Sequence, residues 1–347
     1  MKIFRIVCCA ALMLIGCNLI YAGDASSILT LMTHDSFAVS EGVIKAFEQE
    51  NGAELKILKS GDAGAALTQA ILSKSNPMAD VFFGVDNTFM GRALSAGIFE
   101  PYAAPMLDRI PEQLKLDSLH RLLPIDYGDV CLNYDTRWFE RKGLSPPQRL
   151  EDLLQPEYKG LTVVQHPATS SPGLAFLFAT IGRFGESGYL DFWKKLRAND
   201  VSVTTGWSDA YYGQFSRAKG GTRPIVVSYA SSPAAEVYYS ETKPAVAPTA
   251  AVIGPENAFR QIEFAGILHG TRHRRLARRF IDYMLGVKFQ TDIPLHMWVF
   301  PANPDAPLPE VFLKFSKQAE APVVLLSQRI ESHREAWLEA WTEAVLR

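Results

Sequence analysis

The chain has 347 residues, 48% hydrophobic and 21% charged, with a formal net charge of -2. This is globular composition, long enough for roughly two domains of ~100–200 residues, and it excludes disordered, collagen-like and coiled-coil chains. Lys+Arg at 35 against Asp+Glu at 37, with no long run of either sign, lacks the basic footprint of a nucleic-acid binder. The expected partner is a small molecule.

Lys2 and Arg5 precede an uncharged apolar run, Ile6 to Gly16. That run is shorter than the ~20 residues of a spanning helix but fits the core of a secretory signal. A signal peptide is expected over residues 1–22, cleaved after Ala22. Leu14-Ile15-Gly16-Cys17 also resembles a lipobox, with lipidation at Cys17 as the alternative outcome. Either way the mature protein is expected in the periplasm, soluble or tethered by lipid alone. Cys8, Cys9 and Cys17 leave with the signal or carry the anchor, so Cys131 is the one thiol of the folded part. It cannot form an internal disulfide, and it lies in the strand-like run Asp129 to Tyr134, where an inert buried thiol is expected.

Strand-like and helical runs then alternate: Ile28–Thr33, Glu41–Asn51, Glu54–Leu58, Ala65–Lys74, Ala79–Val85 and Thr88–Gly97. This alternation predicts an open, mostly parallel sheet covered by helices. Asp80 to Val85 is apolar on both faces, as a central parallel strand should be. The pattern restarts after Pro124-Ile-Asp-Tyr-Gly128 with Leu161–Gln165, a helix over Pro172–Arg183, Val201–Thr205 and Pro224–Tyr229. Further on, Leu276, Phe280 and Met284, beside Ala277, Ile281 and Leu285, form a helical stripe. Trp337, Trp341 and Val345 form another, and Pro301 to Pro309 is a proline-rich connector.

Signatures of common enzyme classes, GxSxG, HExxH, GxGxxG, the P-loop and CxxC, are absent. No catalytic residue, metal ligand or cofactor is assigned. His269 and His273 are four apart but sit beside Arg272, Arg274 and Arg275, which reads as a solvated basic helix start. Glu310 and Glu331 read as exposed helix positions. Thr169-Ser-Ser-Pro-Gly173 and Ala230-Ser-Ser-Pro-Ala234 share one form, with Ser171 and Ser232 as N-caps and Pro172 and Pro233 opening the helices. Such starts serve as caps alone or bind anionic groups. Ser60-Gly-Asp-Ala-Gly64 is a strand-to-helix turn of the kind that holds ligands in α/β sheets. Its Asp62 is a candidate cap or a partner for a cation. Trp207, Tyr229 and Trp298 lie in or near these turns and could stack on a planar organic cation.

Read together, Leu31-Met-Thr-His-Asp-Ser-Phe37, Gly61-Asp62, Phe83-Gly-Val-Asp-Asn87, Pro124 to Gly128, Thr169 to Gly173, Thr205-Gly-Trp-Ser-Asp-Ala-Tyr211, Val227 to Pro233 and Ile293-Pro…Trp298…Pro301 occur in the order found in the periplasmic thiamine-binding proteins of ABC transporters. The chain resembles that family over nearly all its mature length. The resemblance implies the two-lobed α/β fold of a periplasmic binding protein, with hinge strands between lobes that close over one ligand. Lobe 1 is expected over 24–126, completed by about 236–300, lobe 2 over 127–235, and a helical segment over 301–347. The resemblance also implies that Asp62 and Ala63 line one wall of the cleft. Ser170, Ser171, Trp207, Tyr229, Ala230, Ser231 and Ser232 line the other, with Trp298 nearby. His34 stands where the family usually has a tyrosine, and Ala235 where an enteric relative has another. His34 can stack, but partial protonation near its ordinary pKa of about 6.5 would oppose a cationic ligand.

The expected function is therefore a non-enzymatic, monomeric receptor for thiamine or thiamine phosphate that delivers its ligand to an ABC permease and, through it, the ATPase. Ferric-ion, polyamine and phosphonate receptors share the fold. The ferric pattern of adjacent tyrosines is replaced here by Tyr229-Ala230, although Tyr211-Tyr212 and Tyr238-Tyr239 are adjacent pairs. An exported thiaminase-like enzyme would need a nucleophile in the cleft, for which only Cys131 is available.

Overall fold

The computed structural model describes residues 27–347; the expected signal segment and Cys17 lie outside the described residues. The chain opens with β1 (Ser27–Thr33), α1 (Glu41–Asn51), β2 (Ala53–Lys59), α2 (Ala63–Leu72), β3 (Val81–Asp86), α3 (Met90–Ser95) and β4 (Phe99–Glu100). β1 runs parallel to β2, with Ser27 opposite Ala53, and to β3, with Leu31 opposite Val81. Every residue of β3 is buried, from the apolar run Val81 to Val85, as a central strand requires, to the Asp86 carboxyl that ends it. The Ser40 hydroxyl caps α1 by accepting from the Val43 N–H, and the helix ends at Gly52, whose φ of 60° suits glycine. Its apolar positions Val43 and Phe47 face inward, and Phe47 meets Phe280 edge-on at 4.8 Å.

The middle of the chain supplies β5 (Leu123–Asp135), α4 (Thr136–Lys142), β6 (Thr162–Gln165), α5 (Ser171–Ala198), β7 (Ser202–Thr204), β8 (Ile225–Tyr229), α6 (Ser232–Tyr239), β9 (Thr249–Val252) and β10 (Phe259–Leu268). β6 runs parallel to β7 and β8. The strand order is β2-β1-β3-β10-β5-β8-β6-β7. The two parallel sets are thus joined through β10 and β5, which are antiparallel to each other and carry Glu263 opposite Asp126. β9 pairs with the far end of β5, Thr249 opposite Asp135, so the return to the first set runs along β10. α5 outlasts the helix expected to end at Arg183. A kink at Gly185, with φ 70° and ψ 171°, interrupts the helical periodicity before the chain resumes it to Ala198.

The last part holds α7 (Arg274–Leu285), α8 (Val287–His296), β11 (Phe300–Pro301), α9 (Glu310–Phe315) and α10 (Ser327–Leu346). The α7 stripe is seated as its spacing demands, with Ala277, Phe280, Ile281, Met284 and Leu285 buried. α10 packs on both halves. Trp341 meets Trp193 of α5 edge-on at 5.4 Å and Trp337 meets Phe178 at 5.7 Å. Its Arg334 guanidinium lies 4.8 Å from the Phe89 ring and its Glu331 accepts from the Ser95 hydroxyl at 2.9 Å. Truncating either buried tryptophan to Ala is expected to cost about 3–5 kcal/mol. Among the described residues no helix is long and apolar enough to cross a membrane.

Candidate functional site

Between the C-terminal ends of the two parallel strand sets lies a cavity of about 710 Å³. Such strand ends are where α/β sheets place ligands, because the following turns present side chains and helix N-termini together. His34 follows β1, Lys59 ends β2, and Asp62 precedes α2; Tyr229 ends β8, and Trp207 follows β7. Glu263 reaches the cavity from β10 and Trp298 from the loop before β11.

Asp62 caps α2 by accepting from the Ala63 N–H at 2.7 Å, as its place in the turn allowed. Ala63 lines the cavity beside it. The opposing turn comes close at Gly206, where a Cβ would lie 3.0 Å from Asp62 Oδ2. Burial raises the Asp62 carboxyl above the usual carboxylate range, against the Ala63 N–H, His34, the Ser170 hydroxyl and the Trp207 N–H, which all favour the ionised form.

On the other wall, Trp207 stacks on Tyr211 with centroids 4.9 Å apart and planes at 20°, and Tyr212 meets it edge-on at 5.2 Å. The indole N–H donates to Ser228 Oγ at 2.9 Å, and that hydroxyl bonds to Ser232 Oγ at 2.8 Å. Trp207 therefore belongs to the cavity and to a small apolar cluster behind it. The Tyr229 hydroxyl donates to Gln261 Oε1 at 3.1 Å, and the Gln261 amide donates to Asp86 and to Ser171 Oγ, each at 3.0 Å. One glutamine of β10 thus ties the first strand set to the second. Gly128 is required beneath Tyr229, since a Cβ there would lie 2.9 Å from the ring.

Trp298 has φ +58°, a left-handed conformation that a bulky residue adopts only when its surroundings enforce it. Its carbonyl accepts from the Ser231 hydroxyl, its indole N–H lies 3.3 Å from the Tyr239 hydroxyl, and its ring stacks over Phe312.

The expected residues divide in two. His34, Asp62, Ala63, Ser171, Trp207, Tyr229, Ser232 and Trp298 line the cavity, whereas Ser170, Ala230 and Ser231 are buried outside its lining. Ala230 donates its N–H to the Asp129 carbonyl at 2.9 Å, and Ser231 holds Trp298. The helix caps are also displaced by one residue. α5 and α6 begin at Ser171 and Ser232, so Ser170 and Ser231 occupy the cap positions, neither making a side-chain cap bond. The Ser171 and Ser232 hydroxyls are engaged within the protein, which leaves the first-turn backbone N–H groups as what these starts offer a ligand.

Glu263, Arg217 and Glu236 line the cavity without any sequence expectation, and Tyr239, noted in sequence only as half of an adjacent tyrosine pair, lines it too. The signal for Glu263 was a carboxylate in the otherwise apolar run Ile262-Glu-Phe-Ala-Gly-Ile267, since charge in a central strand is uncommon unless it is used. Arg217 pairs with Glu236 at 3.3 Å, and Glu236 also accepts from the Tyr211 hydroxyl at 2.9 Å. Asp62 and Glu263 have no Lys or Arg partner among the described residues; His34 Nε2 lies 3.4 Å from Glu263 Oε1. No group of three or more His, Cys, Asp or Glu side chains is arranged to hold a metal among the described residues. Cys131 is fully buried and lies outside the cavity lining.

Two sets of parallel strands, bridged by antiparallel strands and enclosing one cavity at their C-terminal ends, define a two-lobed solute-binding receptor. The chain belongs to the bacterial extracellular solute-binding protein family, whose profile matches residues 76–324. It is 32% identical over 328 residues to the thiamine-binding periplasmic protein of Salmonella typhimurium, covering 93% of this chain and 95% of that one. It is 31% identical over 332 residues to the thiamine-binding periplasmic protein of Brucella suis, covering 94% of each. The solved structure of a periplasmic thiamin binding protein superposes with a TM-score of 0.82 at 29% identity, covering 93% of this chain and 97% of that one.

Proposed function

We propose that the protein is the extracytoplasmic receptor of an ABC importer and binds thiamine or a thiamine phosphate in the interlobe cavity. The observation that carries this reading is the pairing of two cavity carboxylates, Asp62 and Glu263, that lack a Lys or Arg partner among the described residues, with the aromatic faces of Trp207 and Trp298. An aromatic cation satisfies both: its ring stacks on the indoles, which a metal ion cannot do, and it supplies the positive charge that a neutral sugar lacks. A phosphate on the same ligand would meet the N-termini of α5 and α6, whose dipoles favour an anion. The relatives named for thiamine binding support the same ligand.

In this reading the first lobe runs from β1 to residue 126 and is completed by about 236–300 through β10, the second lobe is 127–235, with β9 paired to its strand β5, and α10 packs on both. Binding stabilises the closed form by its differential affinity for that form, so residues of both walls contribute. The receptor acts as a monomer in the periplasm after export by residues 1–22, or from a lipid anchor at Cys17, and hands its ligand to a permease without chemistry. Mass spectrometry of the small molecules released when the purified protein is denatured tests this. Recovery of a thiamine species at up to one per chain is expected; a stoichiometric ligand of another class would refute it.

A further inference from the structure

His34 is held where a cation is needed. Its ring is buried at 8% exposure and lies against Phe83, with centroids 5.6 Å apart. Its seat depends on Gly84, at φ +105°, because a Cβ there would lie 2.4 Å from His34 Cδ2. The imidazole Nε2 is buried without a formed hydrogen bond, 3.4 Å from Glu263 Oε1. Among the described residues His34 is the only basic side chain paired with Glu263. The groups around the pair are nearly all acidic: Asp62 ahead of α2, Asp86 at the end of β3, Asp126 opposite Glu263 on β5, and the Tyr229 hydroxyl on β8. Asp35 and Lys59 line the same cavity. Both Asp126 carboxyl oxygens are buried without a hydrogen-bond partner of good geometry.

We propose that His34 serves as the resident counter-ion of Glu263, and that a cationic ligand takes over Glu263 and expels the imidazole proton to solvent. His34 and Glu263 then form a specificity pair: only a ligand that brings its own positive charge to Glu263 replaces the imidazolium. The inference rests on the reading of the ligand as an organic cation. The step balances, since one N–H bond of the imidazolium breaks, its electron pair stays on the ring, and the proton passes to buffer.

Opposing influences poise the group for this exchange. Burial is the largest and disfavours the charged ring, but Glu263, then Asp62 and Asp86, outweigh it and raise the His34 pKa above its ordinary value. A ligand cation beside Glu263 cancels that support and adds like-charge repulsion, which leaves burial to drive the ring neutral. Asp126 is pushed well above the carboxylate range by burial and by Glu263, which favours its protonated form. Affinity for a cation should then fall as pH is lowered through the raised His34 pKa, by up to about tenfold per unit.

The test is calorimetric titration with thiamine at about pH 6.5, in MES and in Bis-Tris, whose different ionisation enthalpies reveal proton release. The wild type is expected to release a large fraction of one proton per thiamine bound. His34→Gln should release clearly fewer protons than the wild type and bind thiamine with an affinity that varies less with pH, the remainder coming from Asp86. Glu263→Gln should bind it at least tenfold more weakly and likewise release clearly fewer. NMR titration of the His34 imidazole in the wild type, with and without thiamine, covers the case in which a variant does not fold. A fall in its pKa of a unit or more is expected. Stoichiometric binding without proton release, equal release by His34→Gln, or an unchanged imidazole pKa would overturn the proposal while leaving thiamine as the ligand. Failure of thiamine to bind at all would overturn the ligand reading and the exchange with it.

Discussion

Replacing Trp207 separates what its ring face contributes from what its N–H contributes. The indole lines the cavity on a platform made by Tyr211, and its N–H donates to Ser228 at 2.9 Å. Trp207→Ala removes a face worth about 0.5–2 kcal/mol to a bound cation and a hydrogen bond worth roughly 1 kcal/mol to the order of the serine pair behind it. A combined loss of about 2 kcal/mol corresponds to a dissociation constant raised roughly thirtyfold. Trp207→Phe keeps an aromatic face, a weaker one, and loses only the donor, so a rise of roughly threefold to tenfold is expected. Calorimetric titration of both variants with thiamine reads these differences, and denaturant unfolding of each checks that the wall is intact. If Trp207→Ala binds within twofold of the wild type, the ring does not face the ligand.

Asp86 is buried, and its pKa is raised to about 7, burial being the main cause, against bonds from Thr88 and Phe89 that favour the ionised form. The folded state therefore holds a proton that the unfolded chain releases, so stability should fall as pH rises from the ordinary carboxylate range to about 7. Urea midpoints of Asp86→Asn across that range should show a shallower fall; a slope equal to the wild type's would place the proton elsewhere. Burial, with Asp129 adding to it, pushes the Cys131 thiol far above its ordinary pKa. Native protein should accordingly resist a disulfide reagent until it unfolds, and rapid labelling of the native state would reopen a thiol chemistry.

The alternation of apolar strand runs with amphipathic helical runs announced both parallel sets, because strands buried on two faces and helices buried on one leave different periodicities. Asp62 was legible for a similar reason: a carboxylate between a strand and a helix has few roles besides capping and ligand contact. The serine-led helix starts were legible in kind but not in register, since either serine of each Ser-Ser pair has the chemistry of a cap. Tyr211 and Tyr212 lie on a wide turn of helix, Asp209–Gln214, whose five-residue bonding leaves no periodic trace in sequence. Tyr239 stands one helical turn beyond Ala235 on α6 and lines the same cavity, so a ring reaches this wall from a position whose spacing alone did not mark it. The α10 stripe showed that one face is buried but not that Trp341 would meet α5 while Arg334 meets Phe89, because periodicity names a face and not its partners.

The central claim is that one cavity between the lobes takes one aromatic cation. Calorimetric titration of the refolded, ligand-stripped protein with thiamine, thiamine monophosphate and ferric citrate in parallel tests it most directly. Saturable binding of a thiamine species at one site per chain, with no heat from ferric citrate, is the result the account predicts. Binding of ferric citrate alone, or of none of the three, would contradict it.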